Sequence, residues 1–104
     1  MNMLNRTIII SRLISNSEKI REFGVEKVGL FGSYLMDQQK ETIDIDILVE
    51  FQEGKNSFDN FINLCFLLDD LFSGTKVEVV TTNSLSPYIG PKILKQVEDV
   101  PLSA

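Results

Sequence analysis

Apolar and polar residues follow two different periods along this chain of 104 residues. From about Met3 to Phe23, apolar residues recur at helical spacing, and Gly24 follows as a C-terminal cap, so the pattern predicts one helix over residues 3–23. Val25–Phe31 is a run typical of a buried strand. The polar stretch 34–42 that follows has room for one or two helical turns.

The most regular pattern is the alternation of residues from Ile43 to Phe51. Successive residues of a strand point to opposite faces, so the alternation predicts a strand with one apolar face and one mostly polar face. The apolar face consists of Ile43, Ile45, Ile47, Val49 and Phe51, and the other face consists of Asp44, Asp46, Leu48 and Glu50.

The second half of the chain is predicted to contain a helix, a strand and a last helix. Ser57 is positioned to cap the first of these helices, and Gly74 ends it. Its predicted core stripe is Phe58, Phe61, Ile62, Cys65, Leu68 and Phe72, with a second apolar flank of Leu64, Leu67 and Leu71. A helix with so few polar positions is either sandwiched or part of a protein interface. Residues 76–81 form the third strand, and Ser86-Pro87 opens the last helix, whose first turn either contains Pro91 or is disturbed by it.

These elements predict an α/β fold in which helices pack on a three-stranded mixed sheet. The second strand, the helix after it and the third strand form a crossover unit, so these two strands are expected to be parallel neighbours. A length of 104 residues, without a repeat or a linker, predicts a single domain over residues 1–104.

Composition narrows the function. The hydrophobic fraction of 43% and the charged fraction of 24% are typical of a soluble globular protein, and no apolar run is long enough to span a membrane. The net charge of −5 argues against general nucleic-acid binding. The lone Cys65 predicts a reducing, cytoplasmic location. Because the chain has no histidine, Ser-His-Asp and Cys-His catalysis are excluded, and carboxylates are the candidate catalytic groups.

Three carboxylates are the candidate metal ligands. Asp44 and Asp46 share a strand face, roughly 6 to 7 Å apart, and Glu78 joins them if the third strand lies alongside. Such a cluster would repel itself by about 1 to 4 kcal/mol for each close pair, and a divalent cation removes that conflict. An all-oxygen site suits Mg²⁺ or Mn²⁺. Taken alone, an Asp-x-Asp pair more often only solvates an open sheet face, so its context matters.

That context is Gly32-Ser33, directly after the first strand. Glycine lets the backbone approach a ligand closely, and Ser33 can cap a following helix whose free N–H groups would bind a phosphate. The alternative is an ordinary tight turn between a strand and a helix.

Together these segments resemble the polymerase β-type nucleotidyltransferases, and within them the minimal nucleotidyltransferases of prokaryotes. The resemblance lies in residues 28–34 (Val-Gly-Leu-Phe-Gly-Ser-Tyr), 43–50 (Ile-Asp-Ile-Asp-Ile-Leu-Val-Glu) and 76–80 (Lys-Val-Glu-Val-Val). Residues 84–87, Ile93-Leu94 and Glu98 are similar to the family's closing helix. The likeness covers about residues 25–100.

The resemblance implies transfer of AMP from ATP to an acceptor. Gly32 and Ser33 would hold the triphosphate, Asp44 and Asp46 would bind Mg²⁺ or Mn²⁺, and Glu78 would act as a further metal ligand or as a base. Members of this size often pair with a HEPN-domain toxin in toxin–antitoxin modules, and some adenylylate a tyrosine of that partner. The resemblance therefore implies an antitoxin whose partners are ATP and a HEPN-type protein, in a homo- or hetero-oligomer.

Three positions depart from the family pattern. Leu35 and Met36 stand where an arginine commonly follows Gly-Ser, Ile43 stands where a serine commonly precedes the aspartates, and Glu78 replaces the more usual aspartate. An arginine for the substrate would have to come from Arg6, Arg12 or Arg21. These departures keep a second hypothesis open, in which the protein only binds its partner. We favour the enzyme because all three carboxylate positions remain acidic.

Overall fold

The computed structural model describes residues 5–32, 45–82, 85, 87 and 90–102. Helices α1 (Arg6–Ser15) and α2 (Ser17–Glu22) precede strand β1 (Val25–Phe31). Strand β2 (Ile45–Phe51), helix α3 (Phe58–Leu71) and strand β3 (Val77–Thr81) follow, and helix α4 (Gly90–Gln96) leads into strand β4 (Glu98–Val100). The predicted α/β class is confirmed. The helical turns expected in 34–42 lie outside the described residues.

The single N-terminal helix predicted over 3–23 is wrong, because the helix breaks at Asn16. The side-chain amide of Asn16 donates to the Arg12 carbonyl oxygen at 2.9 Å, and its backbone leaves the helical region at φ −110° and ψ 17°. Asparagine often makes local hydrogen bonds of this kind, which compete with helix continuation. The apolar stripe nevertheless survives the break, since Ile9, Leu13 and Ile20 are all fully buried.

The sheet has the strand order β3-β2-β1-β4. Strands β2 and β3 are parallel neighbours joined through α3, as the crossover predicted. Strand β1 pairs antiparallel with β2 on one side and with β4 on the other. One face of the sheet meets the helices in the core, where Leu30, Ile47 and Val49 pack with Leu64 and other buried side chains.

The fourth strand was not predicted. The chain was expected to remain helical through Glu98, whereas α4 ends at Gln96 and Glu98–Val100 pairs with the middle of β1. The carboxylate of Glu98 accepts hydrogen bonds from Arg6, including one from Nε at 2.9 Å, and this ion pair ties β4 to the start of α1. Pro91 lies in the first turn of α4, where its missing N–H costs no helical hydrogen bond.

Helix α3 begins where it was predicted to begin, but part of its predicted core stripe is wrong. The Ser57 hydroxyl accepts a hydrogen bond from the Asn60 backbone N–H, which confirms the cap. Phe58, assigned to the core stripe, has 76% of its side chain exposed. Instead the helix buries Leu64, Leu68 and, at its end, Phe72. Leu67 and Leu71 pack against the core while partly exposed, and Phe58 and Phe66 remain at the surface.

Two phenylalanines on this helix give a matched test of where the core lies. Phe72 is fully buried beneath the Arg12 guanidinium, whose carbon is 5.9 Å from the ring centroid, whereas Phe66 is 67% exposed. We expect Phe72→Ala to lower the free energy of unfolding by about 3–5 kcal/mol, because it leaves a cavity. Phe66→Ala should change it by no more than about 0.5 kcal/mol. Urea denaturation measures both, and equal losses would contradict the orientation of α3.

None of the helices in these described ranges is both long enough and apolar enough to cross a membrane.

Candidate metal and nucleotide site

Two of the predicted carboxylates come from adjacent strands. Asp46 on β2 and Glu78 on β3 are Cα partners in the parallel register. Ile45 and Ile47, on either side of Asp46, are fully buried in the core, so Asp46 projects from the opposite face of the sheet. Neighbouring strands lie about 4.8 Å apart, so the pairing sets the two acids side by side on the open face.

Gly32 lies against the Asp46 carboxylate. It directly follows Phe31, the β1 partner of Asp46, and adopts a positive φ of 79°. A Cβ atom built on Gly32 would overlap the Asp46 Oδ2 atom and would lie 3.1 Å from its Cγ. Glycine is required here for two reasons, because the backbone is left-handed and because the carboxylate occupies the space of a side chain. The structure thus joins the predicted phosphate-binding turn to one of the predicted metal ligands.

Ser33 and Asp44, the other two predicted site residues, lie outside the described residues. Their roles stay predictions. Both adjoin described positions, since Ser33 follows Gly32 and Asp44 precedes Ile45 at the start of β2.

Lys76 places a positive charge beside Glu78. Its Nζ lies 3.8 Å from Glu78 Oε1, and the two side chains are 70% and 50% exposed. The Lys76 carbonyl oxygen accepts a hydrogen bond of 2.9 Å from the Ile45 N–H, which fixes the entry to β3 against the entry to β2. Sequence reasoning used Lys76 only as a strand residue. Its spacing of two from Glu78 on a strand was the signal that would have placed both on one face.

Two of the arginines considered for substrate binding have structural partners. Arg6 pairs with Glu98, and Arg12 donates to the Leu71 carbonyl oxygen at 3.0 Å. These contacts hold α1 to β4 and to the end of α3. Within the residues that the structure describes, the basic side chain beside the acid pair is therefore that of Lys76.

The Cys65 thiol offers no alternative chemistry. Burial raises the pKa of Cys65, and the nearby charge of Asp69 raises it further. A thiol with a raised pKa stays protonated near neutral pH, and the thiolate is the nucleophilic form. Cys65 is thus a packing residue of α3.

A cavity of about 760 Å³ lies at the other end of the strands. Its lining includes Phe51, the last residue of β2, and Thr81, the last residue of β3. A strand rises about 3.3 Å per residue, so the nearest lining residues, Glu50 and Thr81, are roughly 13 Å along β2 from Asp46 and roughly 10 Å along β3 from Glu78. The cavity is consequently separate from the acid pair.

The residues at the acid pair suit a hard divalent cation. Asp46 and Glu78 supply carboxylate oxygens on an open face, and Mg²⁺ and Mn²⁺ prefer oxygen donors. Within residues 5–32, 45–82 and the described C-terminal positions, no group of three acidic or other metal-ligating residues occurs. The described structure therefore contains two of the three predicted ligands, and the role of Asp44 stays a prediction.

The family is established by comparison with known proteins. Residues 10–100 match the family described as Polymerase beta, Nucleotidyltransferase. Since this match spans most of the chain, the chain belongs to the polymerase β-type nucleotidyltransferases. It is similar to the protein adenylyltransferase MntA of Thermococcus cleftensis, with 40% identity over 98 residues that make up 93% of this chain and 97% of that protein. The predicted family and the assignment as a nucleotidyltransferase enzyme are confirmed.

Solved structures with the same fold include small nucleotidyltransferases. One, provisionally described as a minimal nucleotidyltransferase, has a TM-score of 0.73 and 24% identity, and the match covers 98% of this chain and 100% of that one. Another is a chain in the structure of a complex between a tri-AMPylated HEPN toxin of Shewanella oneidensis and an MNT antitoxin. Its TM-score is 0.55 at 21% identity, over 86% of this chain and 71% of that one. At these identities the likeness concerns the fold.

Gly32 and Gly54 provide a matched pair of alanine substitutions. Both have a φ of 79°, but a Cβ on Gly54 would meet no atom within 4 Å, whereas one on Gly32 would displace the Asp46 carboxylate. We expect Gly54→Ala to lower the free energy of unfolding by about 1 kcal/mol, the cost of a left-handed alanine, and Gly32→Ala to lower it by more, because its Cβ must also displace the Asp46 carboxylate. Only Gly32→Ala should weaken Mn²⁺ binding, by about tenfold, in calorimetric titrations. Equal Mn²⁺ affinities in the two variants would show that Gly32 does not position Asp46.

Proposed function

We propose that this chain transfers AMP from ATP to a tyrosine of a HEPN-type toxin, using Mg²⁺ or Mn²⁺, and thereby acts as the antitoxin in the cytoplasm. The observation that carries the proposal is the pairing of Asp46 with Glu78 beside Gly32. An enzyme of the nucleotidyltransferase family needs carboxylates gathered at a phosphate-binding turn. The described residues bring two of the predicted carboxylates, Asp46 and Glu78, together with Gly32 of the predicted turn.

In this proposal the acceptor oxygen attacks the α-phosphorus of ATP, and the bond to the β-phosphate breaks to release pyrophosphate. A cation bound by the carboxylates would stabilise charge on the phosphate oxygens. Gly32 leaves the backbone open to the triphosphate, and Ser33 adds a hydroxyl and an N–H. Asp44 and Asp46 would hold the cation, while Glu78, whose side chain is 50% exposed, would serve as a further ligand or as the base that takes the proton of the acceptor hydroxyl.

Known relatives support the choice of acceptor. The relative in Thermococcus cleftensis is named a protein adenylyltransferase, and the related structure from Shewanella oneidensis holds an AMPylated HEPN toxin. A tyrosine hydroxyl is an acceptor that an attack on the α-phosphate can use. Because the net charge of this chain is −5, a protein acceptor is also easier to approach than a nucleic acid.

A second function is favoured by other observations at the same site. Glu78 replaces an aspartate and lies 3.8 Å from the Lys76 ammonium, which would compete with a metal for its carboxylate. The surface of α3 also exposes Phe58 and Phe66 to contact. In this alternative the chain keeps the fold and silences its partner by binding alone.

The two functions are separated by labelling the partner. The chain is incubated with Mg²⁺, ATP labelled at the α-phosphate and a purified HEPN-type partner. We expect label on a partner tyrosine, and a loss of about a hundredfold or more in Asp46→Asn, because this variant weakens the site that would hold the cation. Asp70→Asn, a matched change on the exposed side of α3, should label like the wild type. If the partner binds but carries no label, even with Mn²⁺, the transfer function is ruled out and only the binding function remains.

Lys76 is proposed to supply the positive charge that an arginine gives other family members. With a cation on the carboxylates, the Lys76 side chain, which is 70% exposed beside Glu78, would place its positive charge near the β- and γ-phosphates. We expect Lys76→Gln to weaken ATP binding by about five- to tenfold, in keeping with one partly screened charge pair. AMP binding should be unchanged, and Lys76→Arg should restore ATP binding. Lys19→Gln, at an exposed position, is the control. If Lys76→Gln weakens AMP binding as much as ATP binding, Lys76 does not contact the outer phosphates.

A further inference from the structure

The cavity at the far end of β2 and β3 has an acidic rim and an aromatic wall. Three glutamates line it, Glu26 at β1, Glu50 near the end of β2 and Glu53 in the turn that follows. Three phenylalanines, Phe51, Phe58 and Phe61, form its apolar part. We call this cavity of about 760 Å³ the acidic groove.

The negative charge of the acidic groove is not neutralised by the described part of the chain. No lysine or arginine belongs to its lining, and within that part none of the three glutamates makes an ion pair or a side-chain hydrogen bond. Lys27 is the strand partner of Glu50 without forming an ion pair with it, and Lys55 packs its stem over Gly24. The groove is thus open to a positively charged ligand.

The aromatic wall is held in place although its outer ring is exposed. Phe58 is 76% exposed at the first residue of α3. Its backbone is fixed by the Ser57 cap, and the Asn60 side chain donates to the Lys55 carbonyl oxygen at 2.8 Å in the same turn. Together with Phe51 and Phe61, the exposed Phe58 ring forms a contiguous apolar lining, and contiguous apolar patches mark contact surfaces more often than single surface side chains do.

We propose that the acidic groove binds a basic segment of a partner protein, with an arginine or lysine next to an apolar side chain. A guanidinium can stack on the exposed Phe58 ring while it pairs with a neighbouring carboxylate. Nucleotide phosphates would be repelled by the three glutamates, so the groove is not a second site for ATP. A further copy of this chain fits poorly, since it would bring a net charge of −5 against an acidic surface.

This proposal goes beyond the transfer reaction and does not depend on it. The nearest lining residues of the groove, Glu50 and Thr81, lie roughly 13 Å along β2 from Asp46 and roughly 10 Å along β3 from Glu78, so a partner docked in the groove would not have to cover the acid pair. One surface would then select the partner, and a different surface would carry out the chemistry.

The test uses two short capped peptides and the whole chain. One peptide alternates arginine and leucine, and the other alternates glutamate and leucine. Backbone amide shifts of the isotope-labelled protein are followed during each titration. We expect the basic peptide to bind in the millimolar range, with shifts at Glu53, Phe58 and Phe61, and to bind about tenfold more weakly at high salt. The acidic peptide should not shift these amides.

Matched variants locate the binding. Phe58→Ala and Glu53→Gln should each weaken the basic peptide by about threefold or more, and both residues are exposed, so the fold should be retained. Phe66→Ala and Asp70→Asn are the matching changes of a ring and of a carboxylate outside the groove, at exposed positions of α3, and they should have no effect. The proposal is overturned if the acidic peptide binds as tightly as the basic peptide, or if the control variants lose as much affinity as Phe58→Ala and Glu53→Gln. It is also overturned if the groove amides shift only with protein concentration, because a second copy of the chain would then be the occupant.

Discussion

The parallel pairing of β2 with β3 is the constraint on which the site depends. It sets Asp46 opposite Glu78, two residues separated by the whole of α3 in the chain. Two strands that run in the same direction need a crossover, and α3 provides it by burying Leu64 and Leu68 against the sheet. The helix packing and the juxtaposition of the carboxylates therefore have one cause. A slip of the register by one residue would turn one acid into the core and separate the pair.

Much of the fold follows from periodicity, and its errors have local physical causes. The alternation along β2 and the crossover to β3 were predictable because burial of one face leaves a clear mark on the sequence. The break at Asn16 was missed because one side-chain hydrogen bond to Arg12 outweighs a continuous apolar stripe. Strand β4 was missed because its three residues, Glu98–Val100, are too few to show a period. Its position is set by pairing with β1 and by Arg6, contacts that are distant in sequence.

The site was predictable where residue type and strand geometry coincide. The juxtaposition of Asp46 and Glu78 was predictable because spacing gave each a face and the crossover made their strands neighbours. The second role of Gly32, which is to leave space for a carboxylate, depends on the β1–β2 register and could not be obtained from the sequence. Likewise the exposure of Phe58 reflects which side of α3 meets the sheet. An almost wholly apolar helix does not specify that side.

Among the strands that the structure describes, β3 lies at one end of the sheet, and this position gives its charged residues a further consequence. The free edge of a sheet offers unpaired backbone groups to any strand that approaches, and charged side chains along the edge oppose such pairing. Lys76, at the entry to β3, and Glu78, within it, are both largely in solvent on this edge. The two residues that we propose to act on nucleotides thus also discourage edge-to-edge aggregation. A substitution that removes either charge would therefore affect solubility whether or not it affects transfer.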